Sequence, residues 1–169
     1  MTKALGSFLN YLSEYVDKAS RAALLLIMAA MVSVILAQVF ARYVLNAAMA
    51  WPEELTIFLL SWMTFIGSAI ALKSWQHIGI TLFANMLSIN YRKFLSILVK
   101  LTVLFFAVFL TYIGVILVQK STHMVSDGLR ISMIWPRLSM PVGGVIMILH
   151  TVNLLFKEVS MFFQNSEGT

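Results

Sequence analysis

The sequence predicts an all-α integral membrane protein with four transmembrane helices and amphipathic interfacial helices beside them, forming one membrane domain over residues 1–169. Two observations carry this. Of the 169 residues, 60% are hydrophobic and 11% charged, whereas a soluble globular chain carries about 45–50% and about 25%. The charges also sit singly or in pairs between long apolar runs, the pattern of a chain that crosses a bilayer several times.

The first span covers 22–41, between Arg21 and Arg42, with Ser33 and Gln38 its clearly polar residues. At about 1.5 Å per residue, such a run crosses the roughly 30 Å hydrocarbon core. Spans follow over 55–72, between Glu54 and Lys73, over 101–119, between Lys100 and Lys120, and over 138–156, between Arg137 and Lys157. Pro141, Gly143 and Gly144 fall in the first turns of the last. Ala48-Met49-Ala50 looks like a signal-peptidase site, but the 22–41 run is longer than a signal h-region and Arg42 separates the two. The reading therefore keeps it as a span.

Two flanking segments repeat apolar residues at helical spacing. Over 4–18, Leu5, Phe8, Leu9, Leu12 and Val16 form a stripe while Lys3, Asn10, Glu14 and Asp17 take other faces. Between spans two and three, Trp75, Ile78, Leu82, Phe83 and Met86 do the same, which predicts an interfacial helix over about 79–89. Both stripes are expected to meet the bilayer or a partner subunit.

Charge sets the orientation. Lys3, Lys18, Arg21, Lys73, Arg92, Lys93, Lys100 and Lys157 lie on the side of the two termini, and Arg42, Lys120, Arg130 and Arg137 on the other. The richer side is cytoplasmic by the positive-inside rule, which places both termini there.

The net charge of +5 suggests nucleic acid only until the charges are mapped, since no basic face can be assembled from them. With no cysteine, thiol catalysis and thiolate metal sites are excluded. No nucleophile and base, metal constellation or phosphate-binding loop appears, so neither an enzyme nor a bound cofactor is expected. Ionised residues inside spans usually mark ion pathways, and these four spans hold none. Nor do they show the internal repeat with paired broken helices of a self-sufficient carrier. Of the histidines, only His77 and His150 share a side, and His77 lies beyond Lys73. A haem or quinone anchor subunit of a redox complex stays open as the alternative, as does a small structural membrane protein.

What the spans offer is packing chemistry. Ala29, Ser33, Ala37 and Ala41 recur every four residues, and Gly67 and Ala71 have the small-x-x-x-small spacing. Lys100 lies seven residues past Lys93, about 10 Å deeper along a helix. It either snorkels or meets a carboxylate on a partner.

One ordered set of residues narrows the family. Trp51-Pro52-Glu53-Glu54-Leu55, Trp62, Gly67-Ser68-Ala69, Lys73 and His77-Ile78 are followed by Ile134-Trp135-Pro136 and Met140-Pro141-Val142-Gly143 with Met147. This set resembles the small, DctQ-type membrane subunit of tripartite ATP-independent periplasmic (TRAP) transporters, over nearly all of 42–153. Arg137 departs from the pattern, standing where an uncharged or aromatic residue is expected. The resemblance implies a bacterial inner-membrane complex with a large, M-type membrane subunit and a periplasmic substrate-binding protein. It implies sodium-driven uptake of organic acids such as C4-dicarboxylates or sialic acids, with the small subunit as a static scaffold. Trp51, Glu53, Glu54, Trp62, Gly67, Ala71, Lys100, Pro141 and Gly143 are then the candidates for a partner interface. Glu53 and Glu54 would equally suit a helix N-terminus, where carboxylates are favoured.

Overall fold

The computed structural model describes residues 2–47, 49–74 and 89–166, with side chains for 6–47, 49–74 and 95–160. Five helices follow in order: α1 (Thr2–Tyr43), α2 (Trp51–Ser74), α3 (Ile89–Lys120), the single turn α4 (Ile134–Arg137) and α5 (Ser139–Ser166). Four helical segments, namely α1, α2, α3 and the run of α4 into α5, are long and apolar enough to cross a membrane. They contain the four spans read from the sequence. The expected interfacial helix falls mostly outside the described residues, as do Trp75, Ile78, Leu82, Phe83 and Met86; residue 89 begins α3.

The amphipathic segment 4–18 is helical, but it runs without a break into the first span. No glycine or proline separates them, so nothing in the backbone stops the helix. At 42 residues, α1 is about 63 Å long, twice the hydrocarbon thickness. It ends where Asn46 adopts a left-handed conformation (φ 49°), and the N–H of Ala47 then bonds to the carbonyl of Ala41 at 3.0 Å. Prolines sit where they disturb least. Pro52 and Pro141 occupy the first turns of α2 and α5, where the missing N–H has no intrahelical partner in any case.

α5 is the centre of the bundle. It packs against α2, α3 and, over a shorter stretch, α1, while α1 also packs on α2; the backbones of α2 and α3 do not meet. The apolar core is small and lies where three helices converge, at Ala69 of α2, Ala107 of α3 and Met147 of α5. Large apolar side chains instead point outward, among them Leu25, Leu26, Phe105, Phe109 and Tyr112, as expected where lipid or a neighbouring subunit surrounds the helices.

Between α3 and α4, residues 121–133 fold into a short hairpin-like loop. Val125 bridges to Ser132, and the N–H groups of Ser126 and Met133 donate to the carbonyls of Ile131 and Met124 at 2.9 Å each. Arg130 takes the left-handed position of its turn (φ 56°).

Candidate functional site

The buried polar groups of this chain gather at the two ends of the bundle, and each group joins elements that are distant in sequence. At the end holding the termini, α1 turns a polar face inward: Ser13, Asp17 and Ser20, spaced four and three apart, are all buried. The expected apolar stripe points the other way or to the flank, with Phe8 exposed and Leu9, Leu12 and Val16 half-buried. Polar-in and apolar-out is the arrangement for a helix whose surroundings are lipid, because an unpaired polar group facing hydrocarbon is costly.

That inward face meets both neighbours. The Ser13 hydroxyl lies 2.9 Å from Nδ1 of His150 on α5, and Gly6 approaches Phe156, whose ring leaves no room for a side chain at position 6. Lys73, in the last turn of α2, reaches across to α1. Its ammonium lies 3.3 Å from Oε1 of Glu14 and 3.3 Å from Oδ2 of Asp17, and donates to the Ser13 carbonyl at 3.4 Å. Arg21 donates from Nε to the same Asp17 oxygen at 3.0 Å and from Nη2 to Ser74 Oγ at 3.3 Å. Two cations thus share one carboxylate that is 11% exposed. The His150 side is as polar, since Thr151 and Asn153 are also buried. Sequence reasoning placed Glu14 and Asp17 on faces away from the apolar stripe without giving them a partner. The spacing of Asp17 and Arg21 is a readable signal; the contact with Lys73 is not.

Lys100 of α3 pairs with Glu158 of α5, both side chains being less than one-fifth exposed. The carboxylate expected on a partner is therefore supplied by the chain itself, from a helix that packs along α3. Removing one member of a buried pair strands the other charge, typically at about 3–5 kcal/mol.

At the opposite end, Glu54 stands in the first turn of α2, where carboxylates are favoured, and turns toward the 121–133 loop. Its Oε2 accepts the backbone N–H groups of Gly128 at 2.9 Å and Leu129 at 2.7 Å, which anchors the 121–133 loop to the start of α2. A Cβ at 128 would stand 2.8 Å from that oxygen and push the carboxylate aside. Glu53 is exposed, as is Trp51. Arg137 ties the loop to α4, donating to the Ser121 hydroxyl.

The small residues divide between inner and outer faces. Gly143 packs against Phe65 of α2, with 2.6 Å between a built Cβ and the Phe65 Cβ, and Gly144 abuts Thr111 of α3. Pro141 lies against Gly114, where a Cβ would come within 2.8 Å of its ring. Gly143 and Pro141, expected at a partner interface, therefore work within the bundle: α5 is its central helix and needs thin contacts on two sides. Gly67 faces Leu24 of α1 loosely, at 4.0 Å, while Trp62 is half-buried and Ala71 exposed. Of the α1 stripe, Ala41 is buried, but Ala29, Ser33 and Ala37 face outward. Among the described residues no group of three metal-ligating side chains occurs.

The sequence profile of the tripartite ATP-independent periplasmic transporters, DctQ component, matches residues 31–161 of the chain. The chain belongs to the DctQ family. It is 31% identical over 135 residues to the sialic acid TRAP transporter small permease protein SiaQ of Vibrio cholerae, covering 80% of this chain and 78% of that protein. It is 26% identical over 104 residues to the C4-dicarboxylate TRAP transporter small permease protein DctQ of the same organism, covering 62% of this chain and 45% of that protein. Against the sialic acid TRAP transporter permease protein SiaT of Haemophilus influenzae it is 26% identical over 120 residues, 70% of this chain but 19% of that longer protein. With its four helices, this DctQ-family chain is a multi-pass protein of the bacterial inner membrane. Family membership displaces the haem or quinone anchor.

Proposed function

We propose that the chain is the small, non-catalytic permease subunit of a sodium-coupled, binding-protein-dependent secondary transporter for organic acids of the C4-dicarboxylate or sialic acid type. It acts as a static scaffold for the large membrane subunit, which holds substrate and ion. Both termini are cytoplasmic.

The observation that supports the scaffold reading is the fate of the carboxylates. Asp17, Glu54 and Glu158 are the described carboxylates that are buried or half-buried, and each is held by a contact between elements of this chain. Ion-coupled carriers need carboxylates that exchange partners along a pathway. Here they lock helix to helix. SiaT, in which a region like this chain is a fifth of a longer permease, supports a large subunit as the partner. A second membrane subunit alongside also suits the outward-facing apolar surfaces of α1 and α3.

The test is reconstitution. In proteoliposomes, uptake of an organic acid under a sodium gradient is expected only when this chain, its large subunit and the loaded binding protein are all present. Uptake by this chain alone refutes the accessory role, and full uptake without it refutes the need for a scaffold.

A further inference from the structure

Arg137, the residue that departs from the family pattern, carries a charge that the bundle does not neutralise. Its side chain is half-buried. Nη1 donates to the Ser121 hydroxyl and lies 3.4 Å from the Met124 sulfur, and both partners are neutral. No carboxylate among the described residues pairs with it. A guanidinium has five N–H donors arranged to grip a phosphate or carboxylate with two parallel bonds. Half-buried without a counter-ion, it is an anion site in waiting.

Beneath Arg137 lies an open cleft of about 280 Å³. It exists because α2 and α3 both pack on α5 while their backbones stay apart. Ile57, Phe58 and Phe65 of α2, Leu117 of α3 and Met140 of α5 line it. The two hydroxyls in its wall are already engaged, Ser61 with the Ile57 carbonyl and Ser139 with the Pro136 carbonyl. From Ile57 to Phe65 the cleft descends about 12 Å along α2. Arg137 stands two residues after Trp135, and Trp51 lies about 9 Å along α2 from Ile57; the two tryptophans are 63% and 40% exposed, and exposed tryptophans at helix ends mark the headgroup level of a bilayer.

A cation at headgroup depth above an apolar slot is complementary to an amphiphile with an anionic head. A partner's transmembrane helix does not suit the slot, because a cylinder 10–12 Å across would need roughly 1,000 Å³ over the same length. We propose that this cleft binds an anionic phospholipid from the adjoining leaflet, its phosphodiester on Arg137 and one acyl chain between α2 and α3. The site gives α2 and α3, whose backbones do not meet, a shared filling at this end.

The experiment uses the full chain, purified in detergent and delipidated, with phosphatidylglycerol as the probe and native mass spectrometry to count retained lipid. Arg137→Gln should retain about tenfold less than the unaltered chain. Ser61→Phe, which fills the slot and leaves Arg137 and its loop contacts in place, should do the same, so the test stands even if Arg137→Gln folds poorly. Lys120→Gln, which removes an exposed cation at the same end, should change retention less than twofold. The deacylated headgroup, glycerophosphoglycerol, should not compete. Undiminished retention by Ser61→Phe, equal losses in Lys120→Gln and Arg137→Gln, or effective competition by the headgroup alone would each overturn the site. So would a photoreactive residue at position 57 that labels a protein rather than lipid in native membranes.

Discussion

The ammonium of Lys73, in the last turn of α2, lies 3.3 Å from the carboxylate of Asp17 in α1, and Arg21 holds the same oxygen from 3.0 Å. The Lys73 and Asp17 side chains are 15% and 11% exposed, so water screens this pair far less than an ordinary surface ion pair. Lys73→Gln and Asp17→Asn should each destabilise the purified protein by about 2–4 kcal/mol, since each leaves an opposite charge poorly matched. A double-mutant cycle on thermal or denaturant unfolding checks this, with a coupling of at least about 1 kcal/mol expected. Additive effects would remove the pair from the account.

Glycine substitutions in α5 and α2 should separate by the space around each glycine. Gly143→Ala meets Phe65 at 2.6 Å from Cβ and 3.0 Å from the backbone, whereas Gly67→Ala meets Leu24 at 4.0 Å. The first should cost about 1–3 kcal/mol through overpacking. The second should be neutral or stabilising by up to about 1 kcal/mol, because alanine is the better helix former. Unfolding of the two variants in the same detergent decides it, and equal destabilisation would contradict the packing described.

Adjacent glutamates should behave differently. Glu54 accepts two backbone N–H groups from the 121–133 loop, while Glu53 is exposed. Hydrogen bonds to a charged acceptor contribute about 1.5–3 kcal/mol, so Glu54→Gln should raise hydrogen exchange at Gly128 and Leu129 about tenfold or more. Glu53→Gln should leave both amides unchanged. Matching exchange in the two variants would mean that the loop is held by other contacts.

The four spans were legible because the bilayer imposes one simple demand, an apolar run of sufficient length: 22–41, 55–72 and 101–119 lie within α1, α2 and α3, and 138–156 starts at the one-residue break before α5. Partners were not legible. Lys100 stood out by its depth in the sequence, yet nothing local indicates that Glu158, 58 positions later, answers it. The N-terminal segment shows why: its apolar stripe was the stronger pattern, but in lipid surroundings the polar residues seek protein, and Ser13 and Asp17 form the buried face. Pro141 and Gly143 stood out only through the family motif, and the neighbours they pack against are the chain's own α3 and α2.

The orientation proposed from the charge bias is simple to measure, because the chain has no native cysteine. Single cysteines at Ser7 and Ser166 should react with a membrane-impermeant thiol reagent only after the cells are opened, and one at Asp127 should react in spheroplasts. Labelling of position 7 or 166 in intact spheroplasts would invert the orientation.

The central claim is that these helices do not move against one another while substrate crosses. Cysteines replacing Lys100 and Glu158 can be joined by a short bifunctional thiol reagent, which fixes α3 to α5 where the ion pair now holds them. In proteoliposomes containing the complete transporter, sodium-driven uptake with the bridge closed should match uptake by the same variant before bridging. Uptake that stops on bridging and returns when the bridge is cleaved would show that α3 and α5 move in the cycle, and would contradict a static scaffold.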